Sequence, residues 1–172
     1  MKKLLSTTGI AIVAAGAMMA SLSAQADTVS NNAAVVILTP LTLTARNDMN
    51  FGKVIKPVGS SKTVIVSNAG ALSGTATRLS GISGAPGTIA VTGDSTNATV
   101  NVTVTNTTTI AGLQLGSFTA SFGGKTMASN QIVGATITGG SETLSLGATL
   151  TVDPTVASGL HRPTYDVAVV YN

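Results

Sequence analysis

The sequence predicts an all-β fold, an antiparallel sandwich or barrel of about eight to ten short strands. Three observations carry that expectation. Apolar residues recur at every second position in several stretches, as in Val100, Val102 and Val104 opposite Thr99, Asn101, Thr103 and Thr105. Successive side chains of an extended chain point to opposite faces, so such a stretch is a half-buried strand. Turn residues return at short intervals, and no stretch shows the 3.6-residue period of a helix. The bulk of the chain is Thr, Ser, Gly, Ala and Val, and Thr and Val suit a pleated surface better than a helix. A hydrophobic content of 44% and the clear alternation argue against a solvated, disordered chain. No fixed repeat length is present, which argues against a solenoid.

The 172 residues make one domain or at most two small ones. Met1-Lys2-Lys3 and the apolar run over residues 4–20 read as a leader, and Ala24-Gln25-Ala26 offers the small-x-small cleavage pattern. Residues 1–26 are therefore expected to be a cleaved signal peptide, with Ala24 and Ala26 at the cleavage site. The protein would be exported, in transit through a periplasm and then at the cell surface or outside the cell. No later apolar stretch is long enough for a membrane-spanning helix. Removing Lys2 and Lys3 with the leader leaves seven basic against six acidic residues. The survivors are scattered along the chain, which speaks against nucleic acid as a partner. There is no cysteine, so an exported chain of this size must rely on its core, a metal or partners.

In order along the chain, residues 27–39 come first, with Val29, Asn31, Ala33, Val35 and Ile37 on one parity. They read as an extended segment, either the domain's own first strand or an N-terminal extension donated elsewhere. Pro40 interrupts it, since proline cannot donate to a ladder. Residues 40–172 then form the domain. Residues 41–44 are expected to be its first strand and 46–48 a turn. Residues 49–55, 63–67 and 72–80 follow as strands, with turns at 56–60, 68–70 and 84–87. Strands are expected at 89–91, 98–105 and 117–122, the last followed by a Gly123-Gly124 hairpin turn. Residues 132–138 precede Gly139-Gly140. Residues 143–152 place Leu144, Leu146, Ala148, Leu150 and Val152 on one face. Asp153-Pro154 and Ser158-Gly159 bound the loop before the last strand, where Tyr165, Val167, Val169 and Tyr171 share a face.

Motifs for chemistry are lacking. His161 is the single histidine, in a Gly-Leu-His-Arg-Pro turn without a nucleophile elbow. Without cysteine, one histidine cannot make an ordinary zinc site. The six acids, Asp27, Asp48, Asp94, Glu142, Asp153 and Asp166, show neither a close pair nor calcium-loop spacing. The glycine-rich 81–84 stretch lacks a phosphate-loop lysine. Asn97, Asn101 and Asn106 head Asn-x-Thr triplets, which a Thr-rich chain produces by chance. The expectation is a protein that is not an enzyme, with no cofactor and no metal.

The two ends resemble a known pattern. Counting back from Asn172, Tyr171 is second, Val169, Val167 and Tyr165 are fourth, sixth and eighth, and Gly159 is fourteenth. This resembles the C-terminal recognition motif of chaperone–usher pilin subunits. The parity of Val29, Ala33, Val35 and Ile37 resembles the donor-strand extension of the same subunits. The chain between Pro40 and Gly159, with Leu41-Thr-Leu-Thr and Met49-Asn-Phe-Gly, is similar to the bacterial secreted domain of unknown function 4402. The resemblance implies a pilin-like or spore-coat-like, immunoglobulin-like β-sandwich that lacks its last strand. It implies a fimbria-like surface fibre subunit, involved in cell adhesion and assembling with its own kind, and a periplasmic chaperone as a further partner. Val29, Ala33, Val35 and Ile37 would be the donor residues. Gly159, Tyr165, Val167, Val169 and Tyr171 would be the acceptor edge. The chain lacks the cysteine pair found in many pilins.

Two other readings fit the same residues. One is a self-contained secreted β-sandwich that binds an unspecified ligand, although the chain has no Trp and two Tyr for a sugar platform. The other is a small outer-membrane barrel, for which five aromatic residues are too few to form two interfacial girdles.

Overall fold

The structure, a computed structural model, describes residues 29–81 and 83–172. The expected leader and its cleavage residues Ala24 and Ala26 lie outside the described residues. The described chain is all-β, with antiparallel sheets packed as a sandwich. Its ten strands are β1 (Thr42–Asn47), β2 (Lys62–Val66), β3 (Leu72–Gly74), β4 (Gly87–Thr92), β5 (Thr99–Asn106), β6 (Leu113–Phe122), β7 (Lys125–Thr126), β8 (Gln131–Thr136), β9 (Ser141–Val152) and β10 (Tyr165–Tyr171).

β9 is the axis of the larger sheet. Its strict alternation buries Leu144, Leu146, Ala148, Leu150 and Val152, as the sequence predicts. One edge of β9 pairs with β4 over its first half and with β2 over its second. The other edge pairs with β6. β1 extends the sheet beyond β4, β3 beyond β2, and β7 beyond β6. The smaller sheet has the order β10-β5-β8. Its central β5 buries Val100, Val102 and Val104 against the larger sheet.

Two bulges decide how the core is filled. In β6, Ser117 and Phe118 together face Ala148, and Ser117 has a φ of 46°. An extra residue in one strand switches the inward parity. Leu113 and Leu115 point inward before the bulge, and Phe118, Ala120 and Phe122 after it. β8 does the same opposite Asn101. Ile132 is buried before Gly134, whose φ is 63°, and Ala135 and Ile137 after it. The Asn101 side chain accepts the Gly134 N–H at 2.9 Å, so that donor of the bulge is paired.

Several expected boundaries shift. The first strand is Thr42–Asn47 rather than 41–44, so Asn47 belongs to a strand and not to a turn. Residues 49–55 make only isolated bridges, Asn50 to Ala85 and Val54 to Arg78. The Asn50 side chain accepts the Gly52 N–H and Gly52 takes a φ of 78°, which bends the chain out of a strand. The strand expected over 72–80 stops at Gly74, where φ is 114° and the N–H groups of Thr75 and Ala76 both turn to the Thr63 carbonyl. The strand expected at 117–122 begins four residues earlier, at Leu113. Gly123 and Gly124 form the expected two-residue hairpin, both at positive φ, between the paired Phe122 and Lys125. Residues 29–41 contain no strand, and Val29, Val35, Val36 and Ile37 are each about four-fifths exposed.

The chain leaving β2 crosses tightly over Gly147. A Cβ added there would lie 2.3 Å from the Val66 carbonyl oxygen and 2.6 Å from the Asn68 nitrogen. Both obstacles are backbone, so they cannot swing aside. Gly116, on the neighbouring strand, has open space at the same point. We expect Gly147→Ala to destabilise the protein by about 1–3 kcal/mol through overpacking, and Gly116→Ala to change stability by under about 0.5 kcal/mol. Thermal denaturation of the two variants checks this contrast.

Candidate strand-acceptor site

The backbone of β10 is half used. Asn172 and Thr164, which flank the strand, bond to Thr99 and Thr107 of the β5 side. In an antiparallel pair, alternate residues exchange both bonds with the partner and the residues between turn both groups away. Tyr165, Val167, Val169 and Tyr171 therefore direct their N–H and C=O groups to the outer edge of β10. That edge pairs with no described strand. The side chains of the same four residues are half buried and pack on the core. Asp166, Ala168, Val170 and Asn172 face outward and are exposed.

β1 supplies the opposing edge. Among the described residues it pairs with β4 alone. Leu41, Met49 and Ile89, on the β1–β4 side, are partly buried against the same core. The open side of the sandwich thus has an unpaired strand edge on each sheet and half-buried apolar residues beneath both.

Two tyrosines cross this opening. A Cβ added at Gly87 would lie 2.4 Å from the Tyr165 hydroxyl, and one added at Gly93 would lie 2.6 Å from that of Tyr171. The tyrosines and the glycines are each six residues apart, so the two strands hold matching intervals. Sheets in a sandwich stand about 10 Å apart, and a tyrosine reaches that far only where the facing residue has no side chain. Tyr165 also rests on Phe118, with ring centroids 5.6 Å apart. Burial raises its hydroxyl above the ordinary tyrosine value, and the Asp48 carboxylate adds to the effect.

The Tyr171 hydroxyl closes one end. It accepts the Asp94 N–H at 2.8 Å and donates to the Thr39 carbonyl at 2.6 Å. The Thr39 N–H donates to the Asp94 carboxylate at 3.2 Å. Both backbone groups of Thr39 are thereby committed to the domain. Asp94 is the buried polar side chain of the described core. It also accepts the Thr96 N–H at 2.8 Å and the Thr96 hydroxyl. These donors, Thr96 first and Thr39 after, hold its carboxyl below the usual carboxylate range.

The other expected site residues fall as follows. Val29, Ala33, Val35 and Ile37 lie in the exposed, unpaired segment. Gly159 lies in the loop between β9 and β10, at a φ of 139° and with open space around it. Asp94, Thr39, Gly87 and Gly93 were not expected at the site. The matching Gly and Tyr intervals, and the Asp-Ser-Thr that favours a local side-chain turn, were the available signals.

His161 sits in an exposed loop with Nε2 2.7 Å from the Ala157 carbonyl. Among the described residues no three His, Asp or Glu side chains gather as metal ligands, and no helix is long and apolar enough to cross a membrane. A shallow depression of about 440 Å³ beside the β6 bulge is lined by Asn106, Gln114, Ser117 and Thr151 and has no titratable side chain.

Asp94 makes the Thr39 contact acid-sensitive. A carboxyl with a lowered folded pKa contributes stability above its unfolded value of 3.8 and loses it as the pH falls through the folded value. Melting curves from pH 6 down to below pH 4 should show the wild type converging on Asp94→Asn as the carboxyl protonates. Curves that stay parallel throughout would contradict this role. Tyr171→Phe should cost about 1–2 kcal/mol at any of these pH values, since it removes two hydrogen bonds without removing the ring.

No curated protein and no solved structure matches the chain. Residues 41–171 match the family described as Domain of unknown function (DUF4402). That span starts at Leu41, beside the Thr39 anchor, and ends on Tyr171, so it takes in both unpaired edges and the tyrosines between them. By this match over most of its length, the chain belongs to the DUF4402 family.

Proposed function

We propose that the protein is a secreted structural subunit of a bacterial surface fibre, assembling by β-strand complementation. The observation that supports it most is the double character of Tyr165, Val167, Val169 and Tyr171. Their backbone groups face an unpaired edge while their side chains face the core. A strand added there gains main-chain hydrogen bonds and a place for alternate apolar side chains at once.

The segment over residues 29–37 has the matching properties. Val29, Ala33, Val35 and Ile37 share one parity, and the three larger side chains are exposed. At about 3.3 Å per residue its nine residues reach about 30 Å, longer than the roughly 23 Å of the seven-residue β10. Burying each Val or Ile is worth about 1.5–3 kcal/mol, a sizeable share of a domain stability of about 5–15 kcal/mol. In this reading the extension of one copy fills the open side of the next. A periplasmic chaperone would cover the same edge with its own strand during export.

Deleting residues 27–38 should abolish ordered polymers. A synthetic peptide spanning residues 29–38 should then raise the melting temperature of the truncated domain by several degrees or more, by binding the folded state alone. Heat-resistant polymers formed without the extension would refute the proposal.

A further inference from the structure

The contacts at Thr39 bear on which copy a strand complements. This inference rests on the strand-complementation reading and concerns its regulation. β1 and β4 pair up to Thr42 and Thr92. Leu41 reaches Gly93 on the other strand, and Thr39 reaches Asp94. Residues 39–41 therefore prolong the line of β1 past its paired end. Tyr171, from the far sheet, bonds to Thr39 at the same place.

An extension that filled the open side of its own domain along the full length of β1 would turn back next to the paired end of that strand. The turn would fall within residues 39–41, and the extension would run antiparallel to β1. Val36, Ile37 and Leu38 just before it are no better suited to a tight turn. Three features oppose that reversal. The Thr39 N–H and C=O are both bonded to the domain. Thr39 precedes Pro40 and is restricted to extended conformations. A two-residue hairpin requires positive φ, which Thr, Pro and Leu rarely supply.

The geometry points to Asp94 and Tyr171 as a latch that keeps the extension out of its own groove and so directs it to another copy. They act as positioning residues on the backbone of Thr39. The latch selects between two destinations of one segment, and Pro40 is its stiff element.

The test compares three forms of the full exported chain, purified unfolded and refolded together. These are the wild type, Tyr171→Phe with Asp94→Asn, and the same pair with Thr39→Asn and Pro40→Gly, which installs a hairpin turn. Size-exclusion chromatography and melting temperature are the readouts, and cooperative melting confirms folding in each. The wild type should polymerise. The unlatched pair should raise the monomer-to-polymer ratio by about tenfold, the effect of losing hydrogen bonds of ordinary strength. The hairpin form should be mostly monomeric and should melt well above the domain lacking residues 27–38. If the wild type polymerises and both variants polymerise to the same extent, the latch is refuted while complementation stands. Monomers of the hairpin form that melt no higher than the truncated domain also refute it. A wild type that is a stable monomer overturns complementation and the latch with it.

Discussion

The structure turns on one mismatch in β10. In most exposed edge strands the residues that leave their backbone unpaired are managed by charge, brevity or a bulge. Here the residues with the unpaired backbone are the ones whose side chains complete the core. Sealing the core and satisfying the edge are therefore a single problem. Charged residues at Asp166 and Arg46 lie on the edge strands but not at these positions. The chain has no cysteine, so no disulfide helps to close the core.

The chain answers in part with its two tyrosines. Tyr165 and Tyr171 span the opening at matching intervals, each ending over a glycine of the β4 segment. Tyr165 is held by Phe118, which the β6 bulge turns inward. Tyr171 is held by hydrogen bonds to Asp94 and Thr39. Between them Val167 and Val169 remain half buried beside an unpaired edge. The two tyrosines thus cover the core while the strand position beyond the outer edge of β10 is taken by no described strand. In the proposed assembly that position is the interface, and the contacts at Thr39 govern who occupies it.

Much of this was legible in the sequence, and the failures have physical causes. The alternation in 98–105, 143–152 and 165–171 identified the buried faces of β5, β9 and β10, because unbroken period-2 patterning survives any pairing scheme. The Gly123-Gly124 turn was readable from its glycines alone. The first half of β6 was missed because Ser117 takes a left-handed conformation and shifts the inward parity, so Leu113 and Leu115 fall out of phase with Phe118. Residues 49–55 have strand-like composition, and Gly52 with the Asn50 side chain bends them away from it. The family and the all-β class followed from the residues quoted for them. At the site, the tyrosine face of β10 was readable. Its partners Gly87, Gly93, Asp94 and Thr39 were not, since their roles arise from contacts between residues 55 to 132 positions apart.

The central claim is that the outer edge of β10 is the place where an incoming strand pairs. Backbone hydrogen exchange, residue by residue, tests it most directly. In the free subunit the amides of Val167, Val169 and Tyr171 should exchange fast, while those of Ala168 and Val170, bonded to β5, should be protected. In assembled material the amides of Val167, Val169 and Tyr171 should become protected as well, with those of Ala168 and Val170 unchanged. Assembled material in which Val167, Val169 and Tyr171 still exchange as fast as in the free subunit would contradict the account.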